Sequence, residues 1–216
     1  MDFQKLRKEY EDSGIDDKGL PESPMELFRI WFAVAVENCP GEWFEPNAMS
    51  LATADQRGNV AVRVVLLKGV SETGIQFFTN YESAKGKHLA INPQAAIVFH
   101  WPYLGRQIRL DGVVIKTTSE VSENYFHSRP RASQISASAS RQSEPLDSRE
   151  ALERLAQKIE QEFSGQPIPL PEYWGGYELV IRRAEFWQGR SNRLHDRMVY
   201  STPDTGRTWI RLRLAP

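Results

Sequence analysis

Cysteine is nearly absent from this sequence, and histidine is sparse. The 216 residues include one cysteine, Cys39, which excludes an intrachain disulfide framework and any metal cluster held by several thiolates. The four histidines are scattered and form no metal-ligand spacing such as HExxH: His88, His100, His127 and His195. The sequence therefore predicts no bound metal.

Long apolar runs and an excess of one charge are also missing. The longest purely apolar run covers residues 30–36, far short of the ~20 residues that cross a bilayer. The first residues, MDFQKLRKEYEDSG, lack the apolar core of a signal peptide. Lysine and arginine number 27 against 28 acidic residues, which gives no basis for nucleic-acid or membrane-surface binding. These absences predict a soluble cytoplasmic protein with neither kind of partner.

The common phosphate-binding and hydrolase motifs are missing too. The chain has no GxGxxG and no GxxxxGK[ST], so a Rossmann or Walker-type phosphate loop is not supported. It has no GxSxG, the turn that carries a hydrolase nucleophile. If the protein binds phosphate, side chains must do so.

What is present predicts one β-rich domain. Hydrophobic residues make up 40% and charged residues 25%, the proportions of a globular chain. From residue 48 onward, short apolar runs alternate with turns, which indicates seven or eight mostly antiparallel strands. Four helices are predicted at 24–38, 85–91, 119–128 and 148–163, the last with a capping box of Asp147 and Glu150. Residues 132–143 are compatible with a loop or a weak helix, and residues 1–10 with a short polar helix. The pattern favours an antiparallel barrel with helices packed outside.

Two cations bracket an apolar strand at residues 63–68. Arg63 and Lys68 are five positions apart, so in a regular strand their side chains point to opposite faces. A functional interpretation assigns them to two separate anionic groups. The alternative is that both charges lie at strand ends and extend into water.

Two further clusters combine arginines with aromatic residues. Tyr125, Arg129 and Ser133 are spaced by four, which could place them on one helical face for phosphate recognition, although Pro130 interrupts a helix there. An arginine at a helix C-terminus is also an ordinary dipole partner. Near the C-terminus, Trp187 could stack on a planar ligand, and His195 beside Asp196 suggests an acid–base pair. Adjacent residues in a strand point apart, however, which weakens that pairing.

Taken together, these clusters occur in a recognisable order. The sequence resembles the pyridoxamine 5′-phosphate oxidase family over nearly its whole length. The matching segments are RVVLLK at 63–68, FFTN at 77–80, SxK at 83–85, RQ at 106–107, YFHSRPRxSQI at 125–135, RQS at 141–143, PLPxxWGG at 169–176, EFWQG at 185–189, RLHDR at 193–197 and RLAP at 213–216.

The resemblance implies a homodimeric, FMN-binding split β-barrel. It implies an N-terminal segment at 1–23 that can act as a lid, followed by a single FMN-binding domain at 24–216. The implied cofactor residues are Arg63, Val64, Val65, Leu66, Leu67, Lys68, Phe78, Thr79, Ser83, Lys85, Gln107, Gln142, Ser143, Trp187 and Arg197. The implied substrate residues are Arg7, Tyr10, Lys68, Tyr125, Arg129, Ser133, Arg193 and His195, of which Arg193 and His195 are the catalytic candidates.

The implied reaction is the FMN-dependent oxidation of pyridoxamine 5′-phosphate and pyridoxine 5′-phosphate by O2. The products are pyridoxal 5′-phosphate and hydrogen peroxide, with ammonia from the amine. The alternatives are another flavin oxidase of the same fold, such as a phenazine-pathway type, and a non-catalytic protein that stores flavin or pyridoxal phosphate. The family commonly has an arginine where this chain has Ala84, so we expect weaker FMN binding here.

Overall fold

The computed structural model describes residues 9–10, 14–204, 206 and 208–216. In that part of the chain the helices are α1 (Pro24–Glu37), α2 (Ala84–Ile91), α3 (Ser119–Ser128), α4 (Arg131–Ala139) and α5 (Arg149–Glu162). The strands are β1 (Ala48–Ala54), β2 (Val60–Leu66), β3 (Gly69–Val70), β4 (Gly74–Asn80), β5 (Gln94–Trp101), β6 (Arg106–Lys116), β7 (Trp174–Gln188), β8 (Asp196–Ser201) and β9 (Ile210–Leu214). No helix in these described ranges is long and apolar enough to cross a membrane.

All nine described strands join one curled antiparallel sheet. The order along the sheet is β2-β1-β5-β6-β7-β4-β3, and β8 and β9 extend it from β7. Consecutive strands pair through short turns, as β1 with β2 and β5 with β6, which is the arrangement that alternating apolar runs and turns predict. The split-barrel fold is therefore confirmed.

Strand β7 is the longest strand and holds the sheet together. One of its edges pairs with β6 along nearly its whole length, from Tyr177 to Gln188. The other edge pairs first with β4, through residues 174–180, and then with β8, through residues 183–188. A bulge opposite Asp111 and Gly112 bends the strand between these two halves. Because β7 is shared in this way, it determines how far apart β4 and β8 lie.

Two apolar clusters form the core. The larger one lies between the sheet and α1, where the Phe28 ring meets Phe99 at 5.3 Å and the Trp31 ring meets Phe186 at 5.3 Å. The smaller one is built on Phe126, Ile135, Ile168 and Trp174, under α3 and α4. The second cluster anchors the helices that border one end of the sheet.

The helix ends mostly follow the sequence signals. Ser23 caps α1 ahead of Pro24, and Ser83 caps α2 by accepting a hydrogen bond from the Gly86 amide at 3.3 Å. The capping residue of α5 is Ser148, which accepts from Ala151, so the prediction of Asp147 was wrong. The serine-rich stretch forms α4, the weak-helix alternative. The predicted helix at 1–10 lies mostly outside the described residues.

Gly86 gives a test of how closely α2 packs on the sheet. A Cβ atom at this position would lie 2.0 Å from the Tyr81 carbonyl oxygen, which belongs to the backbone and cannot rotate away. Helix propensity alone predicts that Gly86→Ala stabilises α2 by ~1 kcal/mol. We expect instead a net loss of ~1–3 kcal/mol, because overpacking forces the helix to shift. Urea unfolding of wild type and variant measures the sign directly.

Gly19→Ala is the matched control. A Cβ atom at Gly19 would have no neighbouring atom within 4 Å, and the φ of this residue is not positive. We expect its unfolding free energy to stay within ~0.5 kcal/mol of wild type. A stabilised Gly86→Ala protein would show that α2 is free to move away from Tyr81.

Candidate functional site

A cavity of about 650 Å³ opens between β2, β4, α2 and α4. The cavity lining includes four cationic side chains: Arg63, Lys68, Lys85 and Arg129. It includes no aspartate or glutamate. A cationic cavity of this kind attracts an anion, since Arg63, Lys85 and Arg129 are at least partly buried and have no carboxylate partner among the described residues.

Lys85 is the most buried of these cations, at 8% exposure. Its Nζ donates to three neutral acceptors, Gln142 Oε1 at 2.9 Å, Thr79 Oγ1 at 3.1 Å and Ser83 Oγ at 3.3 Å. Burial lowers the pKa of Lys85 to about 8, and the positive charge of Arg63 adds to the effect. An anion in the cavity would reverse both effects.

Arg63 and Lys68 both border the same cavity. Strand β2 ends at Leu66, so Lys68 lies in the connection to β3 and strand alternation does not fix its direction. Arg63 is half-buried, and burial lowers the pKa of its guanidinium. Lys68 lies outside the regular strand, so the side-chain alternation expected to separate it from Arg63 does not hold.

An aromatic stack forms the wall next to Arg129. The Phe78 ring stacks on Tyr125 at 3.9 Å, and Tyr125 lies parallel to Trp174 at 6.1 Å. The Arg129 guanidinium lies 4.8 Å above the Trp174 ring. Its Nη1 atom is buried and has no hydrogen-bond partner, and burial lowers the pKa of Arg129. This N–H group is therefore a donor that the described residues leave free for a ligand or a water molecule.

A second group of predicted residues lies around the end of β7. Trp187 pairs with Gln107 on β6 and with Arg197 on β8. The Trp187 ring lies 4.8 Å from His195, and Tyr10 meets both rings edge-on, at 5.6 and 5.7 Å. The N-terminal tyrosine thus packs against this second cluster.

The hydrogen bonds of His195 define its tautomer. The Arg190 backbone N–H donates to His195 Nδ1 at 3.0 Å, so Nδ1 is an acceptor and the neutral ring carries its proton on Nε2. His195 can therefore offer an N–H group to a ligand. The neighbouring Asp196 accepts from Ile15 N and pairs with Arg190 and Arg213, not with His195. The predicted pairing of His195 with Asp196 is absent.

Arg197 is held by a buried carboxylate. Glu185, at 2% exposure, pairs with Arg197 at 2.8 Å and with Arg183 at 2.9 Å. Burial raises the pKa of Glu185, but hydrogen bonds from these two arginines outweigh it and hold the pKa below its usual value. Arg193 is exposed, and its φ of 61° lies in the left-handed region.

The two clusters lie at opposite ends of β7. Phe78 pairs with Gly176, whereas Gln107 pairs with Trp187. The strand between Gly176 and Trp187 spans roughly 35 Å at the usual rise per residue. The five predicted residues of the second cluster do not line the cavity: Gln107, Trp187, Arg193, His195 and Arg197.

Most of the site residues that the sequence predicts outside the second cluster line the cavity. Those that line it are Arg63, Val64, Val65, Leu66, Lys68, Phe78, Thr79, Lys85, Gln142, Ser143, Tyr125 and Arg129. Leu67 packs into the core instead, Ser83 lies fully buried beneath Lys85, and Ser133 is not among the lining residues. Arg7 lies outside the described residues.

Six lining residues were not predicted: Asn80, Ala84, Ser136, Ala137, Ser140 and Trp174. Three of these residues had a signal, since Trp174 belongs to the PLPxxWGG segment, Ala84 to the SxK segment and Asn80 to the FFTN segment. Ser136 and Ala137 in α4, and Ser140 directly after it, had none beyond their composition.

Comparison with known families matches almost the whole chain. A family model described as pyridoxamine 5′-phosphate oxidase matches residues 40–163, and one described as the pyridoxine 5′-phosphate oxidase C-terminal dimerisation region matches residues 174–216. A pyridoxine/pyridoxamine 5′-phosphate oxidase from Polynucleobacter asymbioticus is 49% identical over 98% of both chains. The protein of that name from Rhodopirellula baltica is 45% identical over 99% of this chain and 96% of its own.

Solved structures show the same architecture. PhzG from Burkholderia lata, in complex with tetrahydrophenazine-1-carboxylic acid, has a TM-score of 0.86 and 29% identity, over 94% of this chain and 98% of its own. A pyridoxamine 5′-phosphate oxidase-related, FMN-binding protein from Nostoc punctiforme has a TM-score of 0.69 and 18% identity, over 92% and 99% of the two chains. The latter similarity supports the fold alone.

The lowered pKa of Lys85 predicts a pH-dependent affinity for FMN. Between pH 7 and 9 the phosphate of FMN stays dianionic, while Lys85 in the apoprotein loses its proton around pH 8. A neutral amine holds phosphate poorly, so we expect the affinity to fall about tenfold as pH rises across this range. Quenching of flavin fluorescence, measured by titrating apoprotein at each pH, gives the dissociation constants.

Two variants and a control separate Lys85 from other titrating groups. Lys85→Arg keeps its charge over the whole range and should show a flat profile. Lys85→Gln should bind weakly at every pH. Lys87→Gln removes an exposed lysine from the same helix that does not line the cavity, and it should behave as wild type. A pH-dependent Lys85→Gln profile would assign the titration to another group.

Proposed function

The chain belongs to the pyridoxamine 5′-phosphate oxidase family, and from this premise we propose how its two clusters perform that family's reaction. The protein is an FMN-dependent oxidoreductase that converts pyridoxamine 5′-phosphate and pyridoxine 5′-phosphate to pyridoxal 5′-phosphate. This reaction is the last step in making that cofactor. We propose O2 as the final electron acceptor.

The observation that carries the proposal is the uncompensated charge of the cavity. FMN brings one phosphate and the substrate brings another, each of about −1.5 to −2 charge at neutral pH. The four cations of the lining, where no carboxylate is present, match the summed negative charge of the two phosphates. The unpaired Nη1 of Arg129 supplies a donor that is still unused. The residues present therefore fit two phosphorylated ligands side by side.

We propose that Arg63 and Lys85 bind the FMN phosphate. Both are held by neutral hydrogen bonds to Thr53, Thr79 and Gln142, so their charges remain available to an anion. When bound, FMN supplies a two-electron acceptor for the C4′ position of the substrate. Ala84 lines the cavity beside Lys85, and its side chain has no donor, so weaker FMN binding remains a prediction.

We propose that Lys68, Tyr125 and Arg129 bind the substrate phosphate. All three line the cavity, and the aromatic stack holds Arg129 and Tyr125 in place. This part of the substrate does not react, so its contacts are similar in the ground state and the transition state. Ser133 does not line the cavity, so its binding of the substrate phosphate stays a prediction.

The remaining predicted residues would reach the same cavity from a second subunit. The matched dimerisation region, residues 174–216, contains Trp187, Arg193 and His195, and the protein forms a homodimer. Beside the cavity, the edge strand β2 exposes Val60, Val62 and Val64, an apolar row that a partner can cover. We propose that each active site combines one protomer's cavity with its partner's second cluster.

In that arrangement Arg193 orients the substrate ring. Its planar guanidinium can lie flat against an aromatic ring, which an ammonium group cannot do. His195 would offer its Nε2 hydrogen to the substrate as a positioned donor, since Nδ1 already accepts from Arg190. Displacing the reacting carbon by about 1 Å costs on the order of a hundredfold in rate, so we assign both residues to positioning C4′.

The two alternative functions have less support. The phenazine-associated PhzG is 29% identical to this chain, whereas proteins named pyridoxine/pyridoxamine 5′-phosphate oxidase reach 45–49%. A substrate without phosphate would leave Arg129 and Lys68 without a counter-charge. A storage role would not account for relatives that are named oxidases over nearly the full length.

The cellular location, the domain bounds and the role of the N-terminal segment are further proposals. We propose a cytoplasmic location, which suits a chain whose single cysteine is free. Residues 24–216 are proposed to form one domain, since β7 pairs with β4 and β6. The segment at 1–23 is proposed to act as a lid, and within it Tyr10 lies over Trp187 and His195.

Oxygen uptake with phosphorylated and unphosphorylated substrates tests the function. We expect a yellow protein that consumes O2 and forms peroxide with pyridoxamine 5′-phosphate and pyridoxine 5′-phosphate. Pyridoxamine without the phosphate should react at least about a hundredfold less efficiently, because it forgoes the charge-assisted contacts of the phosphate.

Arg129→Ala should raise the KM for the phosphorylated substrate about 10–100-fold, because a charge-assisted hydrogen bond contributes ~1.5–3 kcal/mol. It should leave kcat nearly unchanged.

The same variant provides its own control. Arg129→Ala should not change the rate with unphosphorylated pyridoxamine, which lacks the group that Arg129 binds. Equal efficiency of both substrates in wild type would refute the assignment of a phosphorylated substrate.

Mixing two variants tests the shared active site at a substrate concentration at which neither variant alone has appreciable activity. Arg129→Ala weakens substrate binding in the cavity, and Arg193→Ala removes the positioning residue of the second cluster. In a mixed dimer one site carries both substitutions and the other carries neither. With random association we expect about a quarter of wild-type activity, because half of the dimers are mixed and each has one intact site.

The measurement is the activity of the two variants refolded together from denaturant, compared with each refolded alone, at a substrate concentration that the Arg129→Ala protein does not bind. Activity that does not exceed the two separate preparations would place both residues in the site of a single protomer.

A further inference from the structure

On the core side of the cavity, Arg63 is anchored to a threonine, which in turn contacts a histidine. Arg63 Nη1 donates to Thr53 Oγ1 at 2.8 Å and to the Leu51 carbonyl oxygen at 3.1 Å. Thr53 Oγ1 in turn lies 3.2 Å from His88 Nδ1, on α2. These contacts connect the core of β1 to the guanidinium that faces the ligand.

The direction of the hydrogen bonds follows from the donors present. A guanidinium has no acceptor, so Thr53 Oγ1 must accept from Arg63. In the tautomer of His88 that carries its proton on Nε2, the hydroxyl proton of Thr53 is directed to the lone pair of Nδ1. A hydroxyl that donates is also a better acceptor, so the two bonds strengthen each other.

This arrangement leaves a defined edge of Arg63 for the ligand. Both N–H groups of Nη1 are used by Leu51 and Thr53. Among the described residues, no protein acceptor takes the Nε and Nη2 hydrogens, and Arg63 lines the cavity. Those hydrogens form the planar fork that suits a phosphate.

The position of Thr53 supports a role beyond filling the core. In β1 the buried positions are Met49, Leu51 and Thr53, and Thr53 is 2% exposed. Valine has the same shape and would fill this place without a hydroxyl to satisfy. Burial of a hydroxyl is costly unless it is hydrogen-bonded, and here its described partners are Arg63 and His88.

We propose that Thr53, supported by His88, is a positioning residue that orients Arg63 for the phosphate of FMN. Neither side chain lines the cavity, so both act through Arg63. A free arginine side chain loses considerable rotamer entropy when it is fixed by a ligand. Anchoring Nη1 beforehand removes part of that cost from the binding step. The inference rests on the proposed role of Arg63 at the FMN phosphate.

Comparing FMN with riboflavin separates orientation of Arg63 from general structural damage. Riboflavin has the same ring system but lacks the phosphate. Thr53→Val should weaken FMN binding to the apoprotein about three- to tenfold, with no change for riboflavin. Thr53→Ser keeps the hydroxyl and should restore near wild-type FMN affinity. Flavin fluorescence quenching measures both ligands under the same conditions.

Two variants of His88 test the hydrogen bond between Thr53 and His88, and both leave Thr53 in place as the acceptor for Arg63. His88→Leu removes the acceptor for the Thr53 hydroxyl and should weaken FMN binding by a smaller factor than Thr53→Val. His88→Asn can place an amide oxygen near the position of Nδ1 and should bind FMN more tightly than His88→Leu. Thr202→Val is the control, since it removes a hydroxyl that accepts from Asp204 and Gly206 and does not line the cavity. It should bind both flavins as wild type does.

Equal losses for FMN and riboflavin in Thr53→Val would mean a merely structural role and would overturn the inference. So would unchanged FMN affinity in Thr53→Val. Arg63→Ala distinguishes these failures from a failure of the proposed function. If Arg63→Ala selectively loses FMN while Thr53→Val does not, Arg63 keeps its role and Thr53 has none. If wild type itself binds both flavins equally, the assignment of Arg63 to the phosphate fails, and the inference fails with it.

Discussion

The pairing of β7 is the constraint on which the arrangement of this protein depends. One edge is occupied by β6, while the other is shared end to end by β4 and β8. A strand of 15 residues is stiff and long, so functional side chains at its two ends cannot meet within one protomer. The division of the predicted site residues into two clusters is thus a consequence of sheet topology. It is the reason for proposing that a complete site combines two protomers.

A second principle governs the cavity itself. Buried cations are normally stabilised by carboxylates, yet Lys85 is held by Thr79, Ser83 and Gln142 alone among the residues that the structure describes. Neutral oxygens satisfy the N–H groups without cancelling the charge. The free protein therefore carries an electrostatic cost, expressed in the lowered pKa of Lys85. An anionic ligand removes that cost, so binding and stability are linked.

The sequence predicted the fold well because its signals were local. Alternating apolar runs and turns predicted the antiparallel strands, and the helices predicted at 85–91 and 119–128 are observed at Ala84–Ile91 and Ser119–Ser128. Motif resemblance also identified most of the cavity lining. Local reasoning failed where a side chain's neighbours come from distant segments, as for Trp174 or the residues of α4. Spacing by four suggested that Ser133 joins Tyr125 and Arg129, but Arg129 leaves the helix before Pro130 and α4 starts a new direction.

The arginines of the two clusters differ in whether a carboxylate already balances their positive charge. Arg197 binds the buried carboxylate of Glu185, so its positive charge is already balanced before any ligand arrives. It can give direction to a ligand through its remaining N–H groups but adds little net attraction. Within the described part of the chain Arg63 and Arg129 have no such carboxylate partner, and both face the cavity. This difference supports the proposal that the cavity attracts the two phosphates and that the second cluster orients the rings.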